Sequence, residues 1–475
     1  MKKIFLFLVL IPLFTSNVYA ATIDPRLGVT NSCGEYPDRT AQGDFMQYGA
    51  QKTRELGFAG LELIMVPKSL CAKTEEDPDG CYHQFDQYCV EKKIVNEKMT
   101  YKLNVPDMKS IMQLPQFQAV LTKPIKYFTL FVEAVNPASL QQASIWEKQT
   151  PYTQTEINST YTEVKDAVKY LLTRFRGSGK TFYISPVNEL DNRLVGSAHC
   201  LLGHGDCDNV DIPPMNVEHA IEFLNTYARA IRDAKAEVPE SGMKVYLTCE
   251  IIRVMSRAMR GKTSSANDVI PYAECDIVAY SAYETIVQAT TSAQARKNMF
   301  DALNYIAEKA PDHPDFPNGK NVMIGEIGYA ENTIQTSFSF NEATAAIKAA
   351  MDWKVVRLNL WTLFDQACSK KPPTEPDDCH GFWMIKPDGT KGDIYNYILA
   401  NYSVSVTPTT PPAGNPADLT DEGDTPGNQV NEYDYNVLVG DFGKNGAPGW
   451  IKADIIKNGK VDEFDYNVLV GDFGK

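Results

Sequence analysis

Positive charge is scarce in this chain. Its 475 residues hold 46 lysines and arginines against 60 aspartates and glutamates, a formal net charge of -14. No basic run occurs. Nucleic acid draws most of its binding energy from a positive surface, so it is excluded as a partner. Strongly anionic polymers are disfavoured too, although a local pocket can oppose the overall sign. No CxxC pair occurs, and six scattered histidines make no zinc pattern. A Gly-x-Ser-x-Gly elbow and a HExxH stretch are both missing, which removes the usual serine-hydrolase and zinc-protease signatures. Beyond the first twenty residues no apolar run is long enough to span a bilayer, so no stable membrane span is expected.

What is present begins at the N-terminus. Lys2 and Lys3 precede an apolar stretch from Ile4 to Phe14, and Val18-Tyr19-Ala20 places small residues where a signal peptidase reads. Residues 1–20 are expected to be a cleaved signal peptide, making the protein secreted or extracellular. Loss of Lys2 and Lys3 would take the charge from -14 to -16. The ten cysteines all lie beyond this leader and fit an oxidising destination. Nearness in sequence suggests Cys200 with Cys207 and Cys368 with Cys379; Cys33, Cys71, Cys81 and Cys89 allow two bridges, and Cys249 and Cys275 complete an even count. His199 and His204 sit in a glycine-rich loop beside the first pair, read as a stapled loop rather than a metal site.

The chain divides near residue 403. Residues 403–416 carry a Thr/Pro-rich stretch without a core pattern and read as a linker. After it, Asp434 to Lys444 recurs unchanged at Asp465 to Lys475, a shift of 31 residues. Residues 417–475 are therefore two copies of one small unit that pack together, each too poor in apolar residues to make a core alone.

Upstream, residues 21–402 alternate strand-like apolar runs with helical stripes, an α/β pattern. Strands are expected at 27–29, 60–66, 127–135, 182–187, 244–248, 277–280, 322–327 and 355–363. The clearest helix runs from Tyr161 to Phe175, with Tyr161, Val164, Val168, Leu171, Leu172 and Phe175 on one stripe. The crossover after Cys249 is the least distinct. Eight strands predict a (β/α)8 TIM barrel with insertions at 68–105 and 190–214. A doubly wound sheet is the alternative, disfavoured because Thr30-Asn31-Ser32-Cys33-Gly34 lacks the glycine-rich spacing that fold uses.

Reactive groups of such a barrel sit where strands end. Strand four ends in Pro186-Val187-Asn188-Glu189 and strand seven in Ile324-Gly325-Glu326-Ile327-Gly328. Each puts a carboxylate where an apolar run stops, a costly place unless the group is paired or used. Strand six delivers Tyr280-Ser281-Ala282-Tyr283, and strand eight delivers Trp361. Two carboxyls and an aromatic floor suit cleavage of a glycosidic bond, where one acid protonates the leaving oxygen and one carboxylate meets the anomeric carbon. Salt bridges to arginines such as Arg357 are the structural alternative for both glutamates. Glu133, Glu250 and Asp365 also lie near strand ends, with nothing in the sequence to assign them.

On these residues the segment 23–402 resembles the superfamily of retaining glycoside hydrolases on (β/α)8 barrels, which includes cellulase, mannanase and β-glucosidase-like families. The resemblance implies Glu189 as acid/base and Glu326 as nucleophile. It further implies Asn188 on a 2-hydroxyl, Tyr283 (or Tyr280 under another register) contacting the nucleophile, and Trp361 flooring the subsite at the cleavage point. No cofactor is implied for the chemistry. Two departures stand out: Leu63-Ile64-Met65-Val66-Pro67 offers no strand-two arginine, and Ser281 stands where many members have histidine. They leave open a glycan-binding or adhesive protein on a degenerate barrel.

The tail resembles dockerin modules, EF-hand-like α-helical pairs that bind cohesins. Asp454 to Asp465 has calcium-loop spacing, with Asp454, Asn458, Asp462 and Asp465 at positions 1, 5, 9 and 12 and glycine at position 6. Position 3 is Ile456, which cannot ligate through its side chain. The first loop offers Asp418, Thr420 and Glu422 before an insertion. The resemblance implies Ca2+ in the module and a cohesin-like or cell-surface partner.

Overall fold

Eight parallel strands close on themselves: β1 Leu27–Asn31, β2 Gly60–Met65, β3 Tyr127–Val132, β4 Thr181–Ser185, β5 Lys244–Ile251, β6 Ile277–Ser281, β7 Val322–Ile327 and β8 Leu358–Leu360. Sequence neighbours pair all the way round, and β8 closes the ring on β1 through Leu358–Leu27, Asn359–Gly28 and Leu360–Val29. This is the expected barrel, not the doubly wound alternative. The computed structural model describes residues 22–31, 45–66, 89–95, 98–196 and 207–404, apart from 240, 318, 333–338, 371, 372 and 374; of the tail it describes Leu438 and Val461, both buried. The leader, the residues 405–416, the candidate calcium ligands (Asp418, Thr420, Glu422, Asp454, Asn458, Asp462, Asp465), His199 and His204 lie outside the described residues.

The strands read as near-continuous apolar runs because both faces are covered, the outer one by helices. Those helices are Phe45–Glu55, Pro115–Leu121, Gln154–Arg174, Pro214–Glu237, Ser292–Lys309, Phe340–Trp353 and Asp393–Tyr402. The third starts seven residues before the predicted Tyr161. Thr153 and Glu156 form a reciprocal capping box there, satisfying the first free N–H groups. After β5 no α-helix forms; the crossover is made of short turns at Ala258–Arg260, Ser265–Val269 and Ile270–Tyr272. None of the described helices is long and apolar enough to cross a membrane.

Thr22–Ile23 pairs antiparallel with Ser403–Val404, so the folded unit extends two residues into the predicted linker. Cys249–Cys275 ties β5 to the approach of β6, and Cys368–Cys379 closes the loop after β8. Cys207 is also disulfide-bonded, to a residue outside those described.

Along each strand, side chains alternate between the helices and the barrel interior. The lower interior holds Tyr183, Tyr246, Ile277, Ala279 and Met323. Arg357 enters from the same end, fully buried, its guanidinium 4.4 Å above the Tyr127 ring and donating to the Pro25 carbonyl at 3.1 Å. Gly60 makes room for it, since a Cβ there would lie 1.6 Å from Nη2. Arg357 therefore belongs to the barrel floor and is no counter-ion for Glu189 or Glu326.

Candidate active site

The ends of β4, β6 and β7 converge on one carboxylate. Glu326 is 7% exposed. Its Oε1 accepts from Asn188 Nδ2 at 2.7 Å and its Oε2 from the Tyr283 hydroxyl at 3.2 Å. The local backbone arranges this. The pairing of β7 slips register on both sides between Ile324 and the residues after Gly325, which marks a bulge. Bulges re-aim the following side chain, here Glu326.

Glu189 is the residue after Asn188, and it adopts a left-handed conformation with φ 49° before the short helix Leu190–Val195. Only a few per cent of non-glycine residues do so, and such strain gathers at functional sites. Asn192 Nδ2 donates to its Oε2 at 2.7 Å. Arg193 lies one turn further on, its guanidinium 5.5 Å from the Trp146 ring. Burial raises the Glu189 carboxyl above its ordinary value, while Arg193, Arg253 and the Asn192 hydrogen bond pull it back.

Trp361 follows β8 directly and is half-buried, its backbone N–H donating to the Ile327 carbonyl at 2.9 Å. Phe382 stands edge-on to Tyr283 with ring centres 6.5 Å apart. Asp365 accepts the N–H groups of Gly381 at 2.6 Å and Phe382 at 3.1 Å, so it anchors the loop carrying Phe382. Glu133 accepts the Gln142 N–H at 2.7 Å.

The structure thus brings Asn188, Tyr283 and Glu326 into direct contact. It does not bring Tyr280. That ring is fully buried, and its hydroxyl donates to Glu284 at 2.8 Å, a carboxylate that also holds the N–H groups of Met255 and Ser256. The reason is strand alternation: Ser281 faces the interior, so Tyr280 faces the helices.

Behind this site lies a second tier, of which the sequence shows Glu250 as an unassigned strand-end carboxylate and misses Glu62. Glu250 is 3% exposed and accepts from Ser281 Oγ at 2.5 Å. Glu62 is 5% exposed and accepts from Thr30 at 2.9 Å and Asn359 Nδ2 at 3.2 Å. Burial pushes Glu62 up to about 8, with the Glu326 charge adding to it and the two hydrogen bonds opposing. Glu250 and Glu326 are likewise raised, first by burial and then by neighbouring carboxylates. Groups this close titrate as a set, so the proton count belongs to the cluster.

A stability consequence follows for Glu62. Burial lifts its carboxyl from an ordinary 4.5 to about 8 in the fold, as a member of that coupled set. Between those values the native chain holds a proton that the unfolded chain has lost, so stability falls as pH rises from about 4.5 to about 8 and levels off beyond. Glu62→Gln should flatten this decline and raise the unfolding midpoint at the alkaline end. Parallel profiles for variant and parent in chemical denaturation would contradict the assignment.

No family model matches the chain, and no curated protein matches it. Solved structures similar to it include an exo-β-1,4-mannosidase from Opitutaceae bacterium strain TAV5, at 12% identity and TM-score 0.46, covering 81% of this chain and 61% of that one. A GH5_18 protein from Bifidobacterium longum subsp. longum matches at 13% identity and TM-score 0.43, covering 79% of each chain. A GH5-4 broad-specificity endoglucanase from Clostridium acetobutylicum matches at 14% identity and TM-score 0.40, covering 79% of this chain and 96% of that one. This chain therefore spans less than two thirds of the mannosidase's length.

Proposed function

We propose that this protein is a secreted retaining β-glycoside hydrolase acting on a β-linked polysaccharide or oligosaccharide. The observation that carries the reading is the 2.7 Å bond from Asn188 to Glu326. It joins the ends of β4 and β7 and so supports reading Glu189, the next residue, and Glu326 as the two carboxyls of one mouth.

In the reaction Glu326 attacks the anomeric carbon while Glu189 gives its proton to the departing glycosidic oxygen. Water then attacks the glycosyl ester, Glu189 takes the water's proton, and Glu326 is freed with the sugar's configuration retained. A retaining pair stands about 5–5.5 Å apart, against roughly 6.5–9.5 Å for an inverting one. Asn188 and Tyr283 stabilise the negative charge on Glu326, and Asn188 can also meet a sugar 2-hydroxyl. Trp361 offers a flat apolar face to a sugar ring. The chemistry requires one proton on the Glu189–Glu326 pair, and a pH–rate profile reports that pair rather than either residue.

The test is turnover on a panel of β-glucan, mannan, xylan and aryl β-glycosides by the parent and Glu326→Gln. Glycan binding without turnover in the parent would favour the adhesive alternative, which the missing strand-two arginine keeps in view.

The duplicated tail is proposed to be a dockerin-like, calcium-binding module that attaches the enzyme to a cohesin-like or cell-surface partner. Calcium titrated into the full chain should release heat and raise the tail's melting transition, and Asp454→Ala should weaken both. A chain that gives neither signal argues against the metal.

A further inference from the structure

Glu250 is not used by double displacement, yet it shares a ligand with the nucleophile. Asn188 Nδ2 lies 2.7 Å from Glu326 Oε1 and 3.5 Å from Glu250 Oε1. One side-chain amide thus stands between a carboxyl of β5 and a carboxyl of β7. Gly325 leaves the space for this: a Cβ there would come within 3.2 Å of Glu250 Oε1 and 3.3 Å of its Cδ. The backbone of the bulge that aims Glu326 therefore lies beside Glu250, with no room for a side chain between them.

The charged and titratable groups around Glu250 are Glu62 on β2, Glu189 and Arg193 after β4, Tyr283 after β6 and Glu326 on β7. Among the described residues no lysine, arginine or histidine forms an ion pair with it; Arg193 acts only at longer range. Two buried carboxyls sharing one amide do not both ionise. Glu326 has close donors on both oxygens, whereas Glu250 has one hydroxyl and a stretched amide on a single oxygen. The charge therefore settles on Glu326.

We propose that Glu250 is a positioning residue of this centre, a neutral acid that fixes Asn188 and leaves Glu326 as the ionised carboxylate. The proposal rests on the glycosidase reading for its kinetic tests and is independent of it for its spectroscopic one. Glu250→Gln mimics the neutral acid and should keep kcat within about threefold, with the acidic limb of the pH profile unmoved. Glu250→Ala removes the contact and should lower kcat about 100-fold with KM changed less, a loss that the glutamine variant does not show. Infrared difference spectra of parent and Glu250→Gln at neutral pH should show a protonated-carboxyl C=O stretch that only the parent has.

An acidic limb that drops by about one pH unit in Glu250→Gln would mean that Glu250 had been charged, and the proposal falls. It falls equally if Glu250→Ala keeps kcat near that of the parent, if the glutamine variant is as slow as alanine, or if the infrared band is absent. Should Glu250→Ala fail to fold, the glutamine variant and the band still decide. A parent that turns over no glycoside defeats the glycosidase reading, and the infrared band then reports on Glu250 alone.

Discussion

Glu326→Gln is expected to lower kcat/KM on every substrate that the parent cleaves by about 10⁴-fold or more, roughly 5.5 kcal/mol of transition-state stabilisation. Glutamine keeps the volume; its Oε1 can still accept from Asn188, while its Nε2 must donate to the Tyr283 hydroxyl instead of accepting from it. It cannot form the glycosyl ester, so the covalent route is closed and not merely slowed. Glycan binding should survive, because ground-state contacts to Trp361 and Asn188 are intact. The fold should survive as well and gain stability at neutral pH. Burial raises the Glu326 carboxyl above its ordinary value, so its ionisation weighs on the native state as pH rises. Turnover within tenfold of the parent, measured on freshly purified protein free of revertant, would remove Glu326 as nucleophile. A variant that melts well below the parent would instead make the loss a folding effect.

The barrel was legible because its strands are apolar on both faces, and eight such runs recur between helical stripes. The crossover after β5 was indistinct in sequence for a plain reason: it contains short turns and no α-helix. The start of the Gln154–Arg174 helix was readable in principle from Thr153-x-x-Glu156, but the apolar stripe begins later and drew the boundary with it. Glu189 and Glu326 were legible because each ends an apolar run. Glu62 was not, because it lies inside one, between Leu61 and Leu63. Period-two alternation is the signal that would have found it: Leu61, Leu63 and Met65 share a face, and Glu62 must take the other. The same alternation separates Tyr280 from Ser281 and hands the contact with Glu326 to Tyr283, which lies beyond the strand. Glu250 was visible as a strand-end carboxylate, but its part depends on the bulge at Gly325, and a break in register between three strands leaves no mark in the order of residues.

Glu189→Gln should divide substrates by their leaving groups. A sugar alkoxide is a poor leaving group and needs the acid's proton, so cleavage of natural β-glycans should fall by about 10²–10⁴-fold. An acidic phenol departs with little help, so aryl glycosides should still glycosylate Glu326 at close to the parent rate. The second step then lacks its base, and the phenol should appear as a burst followed by slow turnover. Azide needs no general base. It should restore turnover and give the β-glycosyl azide, since two inversions leave the configuration unchanged. The pH profile supplies an independent sign. In the parent, rate should fall as pH rises through the pair's upper ionisation, because the proton donor is lost; burial should move that limb up and Arg193 and Arg253 move it back. With glutamine at position 189 no such proton exists, and the alkaline limb should vanish for aryl substrates. During slow turnover the glycosyl ester accumulates, so peptide mapping should find the sugar on Glu326. Equal losses on both substrate classes would remove Glu189 as the acid. An α-azide product would replace double displacement with a single inversion, and the sugar found on another residue would move the nucleophile.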